Sequence, residues 1–218
     1  MRLRHIALVT GDLDAVAARL ARELGLGAPF VEDQMAPDWG VANAVFALGD
    51  QFLEVMAPTR PGTAVGRHLA RRGGDAGYMV MFQVDDVGVA RARTTAAGAR
   101  IVWSYDSPTM SGTHLDPRDV PGAIVALDQA TPPESWAWGG PDWPATAAAG
   151  ALLGVTVAVA DPGAVAARWA AVLGATPPDV TFVTGDGGLV GAHVRVAETV
   201  HAGRDHADVG GVRFTFAL

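Results

Sequence analysis

The sequence predicts an α+β protein built from βαβββ modules, two complete copies followed by a third, degenerate copy at the C-terminus. Three observations carry this. First, His5-Ile6-Ala7-Leu8-Val9-Thr10-Gly11-Asp12, followed by Ala15-Val16-Ala17-Ala18-Arg19, returns without a gap as Gly154-Val155-Thr156-Val157-Ala158-Val159-Ala160-Asp161, followed by Ala164-Val165-Ala166-Ala167-Arg168. A weaker copy, Met79-Val80-Met81-Phe82-Gln83-Val84-Asp85-Asp86, lies between them. Self-similarity on this scale marks a repeated supersecondary unit. Second, every copy opens with a strand-like run, passes an Asp placed to cap a helix, and continues with apolar residues at helical spacing, such as Val16, Leu20 and Leu24. Third, strand-type runs separated by turn chemistry follow each helix.

In the first module those runs are 29–31, 42–48 and 51–56, with Gly49-Asp50 as a tight turn between the last two. In the second they are 100–105, 112–115 and 123–128, the last pair joined by the turn-rich 116–122. The third has 180–183, 189–197 and 212–217. Residues 63–72 read as a short exposed helix, whereas 129–150 is rich in Pro, Ala and Trp. A boundary near Ala148 divides a two-module domain, 1–148, from the shortened third module, 149–218. Trp136, Trp138 and Trp143 are expected to pack back on the domain they leave rather than close over a ligand.

Composition narrows the function. Half of the 218 residues are hydrophobic and 18% are charged, which excludes global disorder. The 16 basic residues, all arginine, face 23 acidic ones for a net charge of −7, so a nucleic-acid surface is not expected. The absence of cysteine removes disulfides, thiolate metal sites and Cys nucleophiles together, leaving His, Asp and Glu for any metal. The most apolar stretch, 151–175, is broken by Asp161-Pro162-Gly163 and Arg168, so no membrane span is predicted and a cytoplasmic protein is expected. No phosphate loop, serine elbow or paired glycosidase carboxylates occur, and 185–188 reads as a hairpin turn.

Strand parity singles out the candidates. His5, Ala7 and Val9 share one face of their strand; Phe52, Glu54 and Met56 share one face of theirs. A carboxylate on the inner face of so apolar a strand needs a cation or a proton. Met79, Met81 and Gln83 share the corresponding face in the second module.

Paired modules with Arg4-His5-Ile6-Ala7-Leu8-Val9 on the first strand, Phe52-Leu53-Glu54-Val55 on the last and Phe82-Gln83-Val84-Asp85-Asp86-Val87 opening the second resemble the vicinal oxygen chelate superfamily, in its glyoxalase-like, bleomycin-resistance and extradiol dioxygenase branches. The resemblance implies a half-barrel sheet holding a divalent metal (Zn, Mn, Fe, Co or Ni) between one residue of each first strand and one of each fourth strand, where a substrate chelates through adjacent oxygens. It places His5 and Glu54 at two ligand positions, with Glu54 also the proton-transfer residue. Met79 and Ala126 occupy the other two and cannot ligate. His114 is the candidate third ligand, with Met79, Met81, Gln83, Ala126 and Arg118 as pocket residues. A lyase or isomerase is implied before a dioxygenase. The alternative is a metal-free protein that sequesters a small molecule, as bleomycin-resistance proteins do. An odd number of modules leaves an open β edge, from which a homodimer is expected.

Overall fold

The computed structural model describes residues 1–35 and 39–217. The first module is β1 (Arg2–Val9), α1 (Leu13–Leu24), β2 (Phe30–Met35), β3 (Val41–Leu48) and β4 (Gln51–Pro58). After α2 (Ala64–Arg72) the second repeats the order as β5 (Ala76–Gln83), α3 (Val87–Ala96), β6 (Ile101–Asp106), β7 (Met110–Leu115) and β8 (Ile124–Ala130). A linker with a 3-10 turn, Ala137–Gly139, and α4 (Trp143–Thr146) leads to β9 (Gly150–Val159), α5 (Pro162–Leu173), β10 (Val180–Thr184), β11 (Gly188–Val196), α6 (Glu198–His201), β12 (His206–Val209) and β13 (Val212–Phe216). The stretch 32–43 carries no motif and by its place across the β2–β3 connection is read as pocket wall; its residues 36–38 lie outside the described residues.

The repeated Asp does the same work in all three copies. Asp12, Asp86 and Asp161 accept from the backbone N–H of Ala15, Val89 and Ala164 at 3.1, 2.9 and 2.9 Å, satisfying donors that the first helical turn leaves open. Each such cap is worth about 1 kcal/mol. The Gly49-Asp50 turn joins β3 to β4; Gly49 has φ 61°, and a Cβ there would meet the Gly150 carbonyl oxygen at 2.5 Å.

Modules one and two form a single curled eight-stranded sheet, ordered β2-β3-β4-β1-β5-β8-β7-β6. Within each, the first strand runs parallel to the last, and β1 and β5 join the modules antiparallel. One face carries Ile6, Leu8, Leu53, Val55, Val80 and Val125 into a core shared with α1, α3 and the third module, whose Val155, Val157, Trp169 and Phe214 are buried in it. The opposite, concave face carries Ala7, Val9, Met56, Met79, Met81 and Ala126.

The third copy keeps the β-α opening but departs in sheet order, β10-β9-β11-β13-β12. With no fourth module to pair with, β9 takes β10 on one side and β11 on the other. Its first strand is therefore flanked on both sides, and the open edges of this sheet are β10 and β12.

Candidate active site

Parity on β1 and β4 turns His5 and Glu54 into the same concavity, a cavity of about 370 Å³. In the parallel register Ala7 lies beside Glu54 and His5 beside Phe52, which offsets the two functional side chains by one pleat. His5 Nε2 and Glu54 Oε2 stand 3.5 Å apart, and both side chains are buried. Asn43 on β3 donates its Nδ2–H to Glu54 Oε1 at 2.6 Å. Burial pushes the Glu54 carboxyl up to about 7; Asn43 opposes this and the charge of Glu32 adds to it. Burial pulls His5 down to about 3, so its imidazole is neutral.

The tautomer of that imidazole is set from the linker. Trp136, 1% exposed, donates its indole N–H to His5 Nδ1 at 3.3 Å. An indole nitrogen donates and never accepts, so Nδ1 holds the lone pair and the single proton of the neutral ring sits on Nε2. That Nε2 makes no hydrogen bond. Arg4 holds the linker in place. Its buried guanidinium donates to Gln83 Oε1 and to the Glu134 carbonyl, both at 3.0 Å, and lies 5.2 Å from the Trp136 ring centroid.

The far wall is aromatic. Trp103 and Tyr105 alternate on β6 with nearly parallel rings 6.1 Å apart, and His114 lies 4.3 Å from Trp103. Trp39 meets Trp103 edge-on at 5.1 Å, while Trp138 lies 5.6 Å from Tyr105. Burial lowers the His114 pKa to about 4. Asp128 on β8 accepts from the Thr113 backbone N–H at 3.3 Å and from Trp138, yet burial still raises it to about 7.

The residues singled out from sequence divide on this geometry. His5, Glu54, His114, Met79 and Met81 line the cavity, and Ala126 is fully buried in the apolar cluster beneath it. Gln83 and Arg118 do not line it. Gln83 has the right parity but lies under the linker, bonded to Arg2, Arg4 and the Pro133 carbonyl. Arg118 is 74% exposed and clamps Asp116 at the turn it was read from. The linker tryptophans divide too: Trp136 and Trp143 pack on Phe52, as expected, but Trp138 joins the cavity wall. Asn43, Asp128 and the aromatic wall are additions. Asp128 shares strand parity with Ala126, and Trp103 with Tyr105, so period-two alternation was their available signal.

This curled sheet of paired βαβββ modules, with a His and a Glu meeting on its concave face, is that of the vicinal oxygen chelate superfamily. Residues 3–173 match the family model described as a glyoxalase-like domain, and the chain belongs to that family. It is similar to an ethylmalonyl-CoA/methylmalonyl-CoA epimerase of Cereibacter sphaeroides, 32% identical over 136 residues that cover 59% of this chain and 97% of the relative. Among solved structures it is similar to a variant of Streptomyces coelicolor methylmalonyl-CoA epimerase in complex with 2-nitronate-propionyl-CoA. That match has 26% identity and a TM-score of 0.54, covering 62% of this chain and 99% of the other. Methylmalonyl-CoA epimerase from Mycobacterium tuberculosis, at 21% identity, TM-score 0.52 and coverage of 59% and 87%, shares the fold. These relatives are isomerases.

The donor set does not fit the divalent metal that the superfamily implies. The registers Ala7 beside Glu54 and Met81 beside Ala126 make Ala126 the counterpart of Glu54, so two of the four ligand positions are Met79 and Ala126. His114 does not supply the missing ligand. His5, Met81, Ala126 and His114 form one row across β1, β5, β8 and β7, which puts the two histidine backbones roughly 14 Å apart along the sheet before its curl. Among the described residues no three of His, Cys, Asp and Glu form a group able to hold a metal ion. The decisive point is the tautomer. A metal-bound imidazole donates its other N–H to an acceptor, whereas Trp136 presents a donor to Nδ1 and leaves the proton on the nitrogen facing Glu54.

Proposed function

We propose that this chain is a proton-transfer enzyme of the isomerase or lyase type, acting without a metal on a small molecule that carries a carbonyl-type oxygen beside an acidic C–H bond. Glu54 is the base. Its carboxylate is anchored by Asn43 and is poised near neutrality by burial, where a general base is most effective. His5, neutral, presents its unpartnered Nε2–H to the oxygen on which negative charge develops as the proton leaves. A carboxylate base beside a neutral imidazole donor is a known division of labour in proton-transfer isomerases. The observation that carries the reading is the pairing of a buried base and a buried, orphaned donor 3.5 Å apart on the cavity floor. The epimerase activity named for the similar proteins is itself an isomerisation, which supports the reaction class.

The test is hydrogen–deuterium exchange at the α-carbon of a panel of 2-oxo, 2-hydroxycarbonyl and aminoketone compounds in D2O, followed by NMR. Wild-type protein should catalyse exchange with at least one member, and Glu54→Gln should slow it roughly 100-fold or more. Exchange no faster than in buffer across the panel, or undiminished in Glu54→Gln, would overturn the proposal.

A further inference from the structure

The ionised side chains in the described cavity lining are of one sign. That lining contains three carboxylates, Glu32, Glu54 and Asp128, and neither Arg nor Lys. Residues 33–38, beside Glu32 and Trp39 in sequence, include no Arg or Lys either, and the whole chain has no lysine. The buried arginine nearest in sequence to His5, Arg4, is committed to Gln83, the Glu134 carbonyl and the Trp136 ring. His5 and His114 are neutral. Glu54 and Asp128 are thus 5% and 2% exposed, with no protein cation lining their cavity; Arg91, whose charge acts on Asp128 from outside the lining, is bonded to Thr113, Asp106 and the Gly112 carbonyl. Buried carboxylates without a counter-ion are costly, and that cost falls when a ligand brings the opposite charge.

The wall is built for the same charge. Trp39, Trp103, Tyr105 and Trp138 all line the cavity and touch in series, Trp39 edge-on to Trp103, Trp103 stacked with Tyr105, and Tyr105 tilted against Trp138. Aromatic faces attract a desolvated cation, and tryptophan does so best. Gly112 on β7 keeps the corner open. A Cβ there would lie 2.9 Å from Asp128 Oδ1, 3.1 Å from Trp103 and 3.3 Å from Trp138.

We infer that the cavity binds a small organic cation, a flat molecule bearing an ammonium or heteroaromatic nitrogen, with its charge held between Asp128 and the Trp103–Trp138 wall. This rests on the reading of the cavity as the substrate site and narrows its substrate class. It also separates this chain from similar proteins whose bound ligands are CoA thioesters. A CoA thioester brings phosphates, and a methylmalonyl group adds a carboxylate. Inside the cavity an anionic group would meet carboxylates and aromatic rings, with no Arg or Lys in the described lining to receive it. Asp128 binds and orients; Glu54 remains the base.

The test is calorimetric titration of the full chain at pH 8 with four probes: N-methylquinolinium, its neutral isostere quinoline, 2-naphthoate and methylmalonyl-CoA. N-methylquinolinium should bind at least tenfold tighter than quinoline, and the two anions more weakly still. Asp128→Asn and Trp103→Leu should each weaken quinolinium binding about tenfold, with far-ultraviolet circular dichroism confirming that the variants fold. Equal binding of quinoline and N-methylquinolinium, or tighter binding of naphthoate or methylmalonyl-CoA, would overturn the inference using wild-type protein alone. The two proposals fail separately. Glu54→Gln losing exchange while quinolinium binds no better than quinoline would leave the proton-transfer reading standing and sink this one. Preferential quinolinium binding with no exchange on any substrate would do the reverse.

Discussion

Replacing Glu54 with glutamine isolates the cost of keeping a carboxylate on the cavity floor. The folded protein holds the Glu54 proton up to about pH 7, whereas the unfolded chain releases it near 4.5. Between those values the folded state binds more protons, so the stability associated with this group is fully present below pH 4.5 and is lost as pH rises through 7. At about 1.4 kcal/mol for each pH unit, the rise from 4.5 to about 7 corresponds to about 3 kcal/mol between pH 4 and pH 8. Residual water access makes this an upper figure. His5 and His114 act in the opposite direction. Held near 3 and 4, they stay neutral when the unfolded histidines protonate below 6.5, so they favour the folded state as pH rises through that range. Asp128, raised from 3.8 to about 7, loses stability with rising pH as Glu54 does, and two such carboxyls against two such histidines should leave wild-type stability varying little from pH 4 to 6.5. Glu54→Gln keeps an acceptor for Asn43 and removes one of the two carboxyls from that balance. Its pH-independent packing cost drops out when only the change with pH is compared. Denaturant unfolding at pH 4, 5, 6, 7 and 8 should show the variant gaining up to about 3 kcal/mol on wild type across the range. Parallel pH profiles for the two proteins would refute the assignment of a raised carboxyl to Glu54.

Catalysed exchange should rise with pH through an acid limb near 7, the ionisation of Glu54, with no limb from His5, which is neutral above about 3. Asn43→Ala removes a donor that lowers the Glu54 pKa, so the limb should move to higher pH in rate–pH profiles, and an unmoved limb would contradict the role of Asn43. Trp136→Phe deletes the indole donor that fixes the His5 tautomer and frees Nε2 to ligate. Ni²⁺ or Zn²⁺ affinity measured by calorimetry should then rise about tenfold over wild type, the size of effect that outer-shell partners of ligating histidines have elsewhere. Gly112→Ala drives a methyl group to within 2.9 Å of the Asp128 carboxylate and should cost about 1–3 kcal/mol, read as a lower Tm. An unchanged Tm would mean the corner is less tightly packed than described.

The parts of this molecule written as local repeats were legible in the sequence. The helix-capping Asp12, Asp86 and Asp161 recur at fixed places because a helix start is a local event, and strand parity alone brought His5 and Glu54 to one face. Ala126 as the counterpart of Glu54 agrees with the observed strand registers. What stayed hidden depends on distant partners. Trp136 reaches His5 from a linker without periodicity, held there by Arg4, and no pattern near either residue announces the contact. Gln83 has the parity of a pocket residue, but the linker covers the end of its strand, so parity told its face and not its neighbour. Arg118 sits in a turn rich in aspartate, where pairing with Asp116 satisfies it locally. The sheet order of the third module follows from having no partner module for β9, a consequence of the whole chain rather than of any segment.

A neutral His5 carries its proton on Nε2, toward Glu54, with Nδ1 bare against Trp136. Long-range proton–nitrogen correlation NMR on histidine-labelled protein, with His5→Gln to assign the signals, measures this directly. Nε2 should be protonated and Nδ1 unprotonated from pH 5 to 8, both unmoved by stoichiometric Zn²⁺ or Mn²⁺. An unprotonated Nε2 that shifts on adding one equivalent of metal would contradict this tautomer and return the site to metal chemistry.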